Sequence, residues 1–152
     1  MGILRLRFTR RQIERMMDIE SIQAAIKEAE VRTSGEIRVS ISRFFWGSVV
    51  KAAEKAFLRL GMLETRDRNG ILFFVVPSRK RFAIIGDAGI HAEVGQKFWD
   101  RLAAVLREEF GKGEFTSGLL KSIREAGEEL SAHLPHDPES DVNELPDDVE
   151  IH

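Results

Sequence analysis

The sequence predicts an α/β protein, a three-layer α/β/α sandwich with a small mixed sheet and about four helices. Three observations carry that expectation. Residues 36–42 alternate, with Ile37, Val39 and Ile41 on one side and Glu36, Arg38, Ser40 and Ser42 on the other, the period of a strand. Residues 71–76 are continuously apolar, as in a strand covered on both faces. A short Pro77-Ser78-Arg79-Lys80 turn then leads into residues 81–86, which predicts an antiparallel hairpin. A helical segment between the first two strands predicts that these run parallel through a crossover.

The helices follow in order. Thr9 with Gln12 resembles a capping box, and Ile13, Met16, Met17, Ile22, Ile26 and Ala29 recur at helical spacing. One helix is expected from about 10 to 32, stopped by Thr33-Ser34-Gly35. A second is expected from Ser48 to Leu60, capped by Gly61. A third should span roughly 92–110, ended by Gly111-Lys112-Gly113, and a fourth should run from Thr116 to Pro135. Phe115 and Leu120 are placed for a hydrophobic staple at its start.

Length and composition narrow the classes. At 152 residues, 43% hydrophobic and 32% charged, the chain fits one domain with a real core. It has no cysteine and no tyrosine, which removes disulfides, thiolate catalysis, cysteine zinc sites and phenolic acid–base roles. No stretch approaches the length of a membrane span. The first eight residues are too short and charged for a signal peptide, and Arg7 stands where a myristoylation signal has Ser or Thr. The cytoplasm is the simplest location.

Residues 135–152 hold seven acids and neither lysine nor arginine, so residues 1–134 carry +5 against an overall −2. The expectation is one domain over 1–134 and an acidic tail over 135–152. That tail either stays solvated, folds back over the basic body or binds a partner. A charge of +5 is too diffuse to argue for nucleic acid.

The same topology predicts a site. Parallel pairing puts the starts of strands 36–42 and 71–76 at one sheet edge, and the antiparallel third strand ends there. Glu36, Asp67, Asn69, Gly70 and Asp87 should cluster, with Asp100 two turns inside the next helix. Carboxylates and carbonyls freed by glycine suit Ca2+ or Mg2+. The same residues also read as ordinary turn and cap chemistry: Asp67-Arg68-Asn69-Gly70 is a turn signature, Asp87 can cap a helix, and Asp100 can pair with Lys97 or Arg101. Arg38, Arg66 or Arg68 could hold a phosphate by forked hydrogen bonds. His91 follows the glycine turn, as a capping group or an acid–base residue. No triad, P-loop or GxGxxG pattern is present. Phe44-Phe45-Trp46 forms an aromatic loop that either covers the sheet edge or offers a binding lip.

Taken together, Thr33-Ser34-Gly35-Glu36-Ile37-Arg38-Val39, Asp67-Arg68-Asn69-Gly70-Ile71-Leu72-Phe73-Phe74-Val75, Arg81 through Ile90, and Phe115-Thr116-Ser117-Gly118-Leu119-Leu120 resemble the TPM domain family across about residues 10–134. The resemblance implies an α/β/α sandwich with a calcium-type site in loops at one sheet edge. It also implies a debated acid phosphatase activity, with plant thylakoid members associated with photosystem II repair and animal members with receptor modulation. Carried over, Asp67, Asn69 or the Gly70 carbonyl, Asp87 and Asp100 are the metal neighbours, with Glu36 in second line. Many relatives carry a signal peptide and a membrane anchor, and a more glycine-rich, Glu-containing turn where this chain has Gly86-Asp87-Ala88-Gly89-Ile90-His91. Three functions follow as expectations: a non-catalytic interaction or assembly module that binds a divalent ion and a protein partner, a metal-dependent phosphatase acting on phosphate monoesters, or a purely structural domain with no ion.

Overall fold

A computed structural model of the chain describes residues 7–44, 47–137 and 148–152. Phe45, Trp46 and the tail acids from Glu139 to Asp147 lie outside the described residues. Among the described residues the sheet has four strands in the order β3-β2-β1-β4: β1 Glu36–Ile41, β2 Gly70–Val76, β3 Arg81–Gly86 and β4 Val149–Ile151. β1 runs parallel to β2 and to β4, and β2 antiparallel to β3. The mixed sheet with helices on both faces is the expected α/β class.

The fourth strand departs from the sequence reading. Residues 149–151 fold back and pair with Val39–Ile41, so this part of the acidic end adds a strand to the sheet. Three residues of apolar–acid–apolar order are too short to announce a strand beside so much negative charge.

Two expected helices are each divided. α1 Arg10–Met16 and α2 Ile19–Glu30 replace one helix over 10–32. Met17 is extended, and Asp18 caps α2 by accepting from the Ser21 amide and hydroxyl at 3.1 and 2.6 Å. The Asp18 amide is held by Thr116 Oγ1 at 3.1 Å, so a tertiary contact fixes the break. The capping box is present: Thr9 Oγ1 accepts from Gln12 N at 3.1 Å, and Gln12 Oε1 from Thr9 N at 2.8 Å. Likewise α4 Ala88–Glu93 and α5 Gln96–Gly111 replace one helix over 92–110, with Val94 extended and Gly95 as the cap of α5. α3 Val49–Arg59 and α6 Phe115–His133 agree with expectation, and Gly61 takes the left-handed conformation at φ 72° that ends α3.

The alternation of the strands divides the core in two. Ile37, Val39, Ile41, Ile71, Phe73 and Val75 pack with α2, α5 and α6. Leu72, Phe74 and Val76 pack on the other face against Ala53, Ala56 and Phe57 of α3. Every residue of β1 and β2 is buried, which also puts Glu36, Arg38 and Ser40 inside. Burying charge demands partners, and those partners define the surroundings of β1.

Candidate functional site

The register gathers the predicted rim. Glu36 stands opposite Gly70, and Ile71 opposite Gly86. The Glu36 amide donates to the Asn69 carbonyl at 3.1 Å, the Asp87 amide to the Gly70 carbonyl at 2.9 Å, and the Gly89 amide to the Arg68 carbonyl at 2.9 Å. Backbone bonds therefore weld the start of β1, the start of β2 and the end of β3 into one edge. Gly89 has to be glycine: a Cβ there would overlap the Asp67 carbonyl oxygen and stand 2.6 Å from that of Arg68.

Asp87 sits at the centre and is buried. Arg68 grips it with a fork, Nε to Oδ2 at 2.6 Å and Nη2 to Oδ1 at 2.7 Å, while the Ala88 amide donates to Oδ1 at 2.7 Å. Burial pushes its pKa up, but the hydrogen bonds from Arg68 and Ala88 outweigh that and hold it below the ordinary carboxylate value. Arg68 takes a left-handed φ of 53° to reach it, a conformation that costs a non-glycine residue roughly 1–2 kcal/mol. Asp87 is also the cap of α4.

The other predicted residues divide. Asn69 is buried and Nδ2 donates to the Ser34 carbonyl, while its Oδ1 has no hydrogen-bond partner. Asp67 is exposed. Asp100 lies on the exposed side of α5 and accepts from Gln96 at 3.0 Å, not from Lys97 or Arg101; Arg101 reaches Glu129 at 3.2 Å and Glu125 at 3.5 Å. A cleft of about 290 Å³ holds Asp100 with His91, Gln96 and Trp99. The His91 ring lies 4.9 Å from the Trp99 ring.

Glu36 and Arg38 belong to a buried ionic cluster. Arg38, 1% exposed, faces Glu30 at 3.0 Å, Glu36 at 3.3 Å and Asp148 at 3.3 Å. Its guanidinium is engaged by carboxylates, and that of Arg68 by Asp87. Burial drives the Glu30 pKa up to about 7, against the lowering effect of the Ile37 amide and Arg38. Glu30, Asp148 and the Arg59–Glu150 pair escaped sequence reading. The same-face spacing of Glu36 and Arg38 was the one available signal.

The donor chemistry can be tested against Ca2+ or Mg2+. Asn69 Oδ1 and the carbonyls of the 67–70 turn are suitable hard oxygens. The carboxylates are not gathered: Asp87 is held by Arg68, Glu36 by Arg38, and Asp100 lies on α5. Among the described residues, no three His, Cys, Asp or Glu come together to hold an ion. As arranged, these residues do not fit a closed cation cage.

Comparison with known proteins agrees with the fold. The family model of the TPM domain matches residues 15–129. The solution structure of BA42 protein from the psychrophilic bacterium Bizionia argentinensis is 35% identical, with a TM-score of 0.81, covering 88% of this chain and 91% of that one. The N-terminal domain of cg2496 protein from Corynebacterium glutamicum shares the fold at 16% identity and a TM-score of 0.59, covering 89% and 78%. A comparison with curated proteins gives no match. Among the described residues no helix is long and apolar enough to cross a membrane.

Proposed function

The chain belongs to the TPM domain family, and from that premise we propose that it is a non-catalytic interaction and assembly module whose sheet rim is locked by an arginine–aspartate clamp. The Arg68–Asp87 fork carries this reading. A reaction centre keeps a nucleophile, base or metal ligand available to substrate. Here the central carboxylate is spent on an arginine that accepts backbone strain to reach it. Such a clamp fixes three strand ends and presents a rigid surface. Exposed Val50 and Leu58 of α3, with Phe44 and Leu63, supply apolar contact area for a partner.

The ion and the phosphatase activity implied by the family enter as alternatives to be measured. Calcium or magnesium at Asp87 would have to displace Arg68. The test is thermal melting with each ion, together with hydrolysis of a generic phosphate monoester by wild type and Asp87→Asn. The module reading expects little change in melting at millimolar ion and no turnover. Turnover abolished by Asp87→Asn in a folded protein would replace it with a phosphatase. A large ion-dependent rise in melting temperature would restore the metal site.

A further inference from the structure

β4 does more than lengthen the sheet; it is held as a bound peptide is held. Val39 N donates to the Asp148 carbonyl at 2.9 Å, His152 N to the Ile41 carbonyl at 2.9 Å, and Arg43 N to the His152 carbonyl at 3.3 Å. Alternate side chains are then read separately. Val149 and Ile151 pack against the main core and form one wall of a cleft of about 660 Å³ shared with α1 and α2. Glu150 turns to the opposite face. Arg59 grips it with two bonds of 2.7 Å, and Ser40 Oγ donates at 2.6 Å. Asp148 meets Arg38 at 3.3 Å. Arg10 Nη2 adds a bond to the Ile151 carbonyl at 3.0 Å.

These features are the grammar of strand addition, in which backbone bonds give affinity and alternate side-chain sites give specificity. The receptor parts, Arg38, Ser40 and Arg59, stand on β1 and α3 within the family-matched stretch 15–129; the occupant lies beyond it. Charge complementarity at the central acid identifies the ligand chemistry: Arg59 and Ser40 hold Glu150, the second acid of an acid–apolar–acid–apolar order, while Asp148 shares Arg38 with Glu30 and Glu36.

We propose that the outer edge of β1 is a recognition groove for an extended acidic segment of a partner protein, and that residues 148–152 fill it in cis. The segment acts as a built-in competitor that a partner strand of the same order displaces. This relies on the module reading only for the existence of a partner, and it concerns the edge of the sheet away from Asp87.

The test uses the full chain with Glu150→Pro, which removes both a strand N–H and the Arg59 ligand. The probe is a synthetic Asp-Val-Glu-Ile-His peptide followed by amide NMR shifts. Shifts at Val39, Ile41 and Arg43 should saturate at a peptide concentration at least tenfold lower than in wild type, and Arg59→Glu added to the variant should weaken binding at least tenfold. Glu150→Lys, which keeps the backbone donor, serves the same purpose if the proline variant fails to fold. A folded variant that shows no shifts at millimolar peptide overturns the proposal. So does equal binding of a peptide with lysine in place of the glutamate. A wild-type dimer that Glu150→Pro dissolves would assign the groove to a second copy and overturn it too. Phosphatase turnover would end the module reading while leaving this peptide result intact.

Discussion

Arg38→Met removes the cation around which the outer edge of β1 is organised. Arg38 is 1% exposed and lies 3.0–3.3 Å from Glu30, Glu36 and Asp148. Methionine fills much of the volume but leaves carboxylates facing one another out of water. Breaking a buried ionic group by deleting one member costs about 3–5 kcal/mol. Glu30 Oε2 keeps its bond from the Ile37 amide at 2.8 Å, which places the expected loss near the lower end, about 3 kcal/mol at pH 7. For a chain of this size that is a fall of roughly 6–12 °C in melting temperature. The assay is urea unfolding at pH 7 and pH 5. At pH 5 the loss should be only slightly smaller, because Glu30, with a pKa of about 7, is already partly protonated at pH 7 and fully so at pH 5. A loss below about 1 kcal/mol, within the range of an exposed pair, would refute the reasoning.

The remaining predictions concern pH and the rim. The Glu30 pKa is raised from 4.5 to about 7, so the folded state binds the extra proton; that contribution is complete below 4.5 and lost as pH rises through 7. Glu30→Gln should flatten this part of a stability–pH profile, and an unchanged slope would contradict the assignment. Asp87 and Glu150 are shifted the other way: their contributions are present above the ordinary carboxylate values and fade as pH falls below them. Asp87→Asn should therefore reduce the acid limb of the profile, with about 1 kcal/mol lost at pH 7 because Arg68 is half exposed. Gly89→Ala would drive a methyl into the carbonyls of Asp67 and Arg68 and should cost about 1–3 kcal/mol in urea unfolding; a neutral result would mean that the rim is looser than described.

Much of the fold was legible because periodicity reports burial directly. The alternation of 36–42, the apolar run of 71–76 and the short turn before Arg81 fixed three strands and their directions, and with them the meeting of Glu36, Gly70 and Asp87. The divided helices were not legible. Met17 and Val94 continue an apolar stripe, and only contacts such as that of Asp18 with Thr116 show where the backbone turns. β4 was hidden for a different reason: its charge pattern describes a solvated tail until Arg38 and Arg59 are seen opposite it. The register brings Glu36, Asn69, Gly70 and Asp87 to one edge, but residue type alone does not reveal who neutralises a carboxylate. Arg68 precedes Asn69 as an ordinary turn residue, yet it takes a left-handed φ and forks onto Asp87.

The most direct measurement is a crystal structure grown with millimolar calcium. Arg68 Nε should remain about 2.6 Å from Asp87 Oδ2, with no ion between them. Calcium within about 2.3–2.6 Å of the Asp87 carboxylate, with the Arg68 side chain swung away, would contradict the clamp.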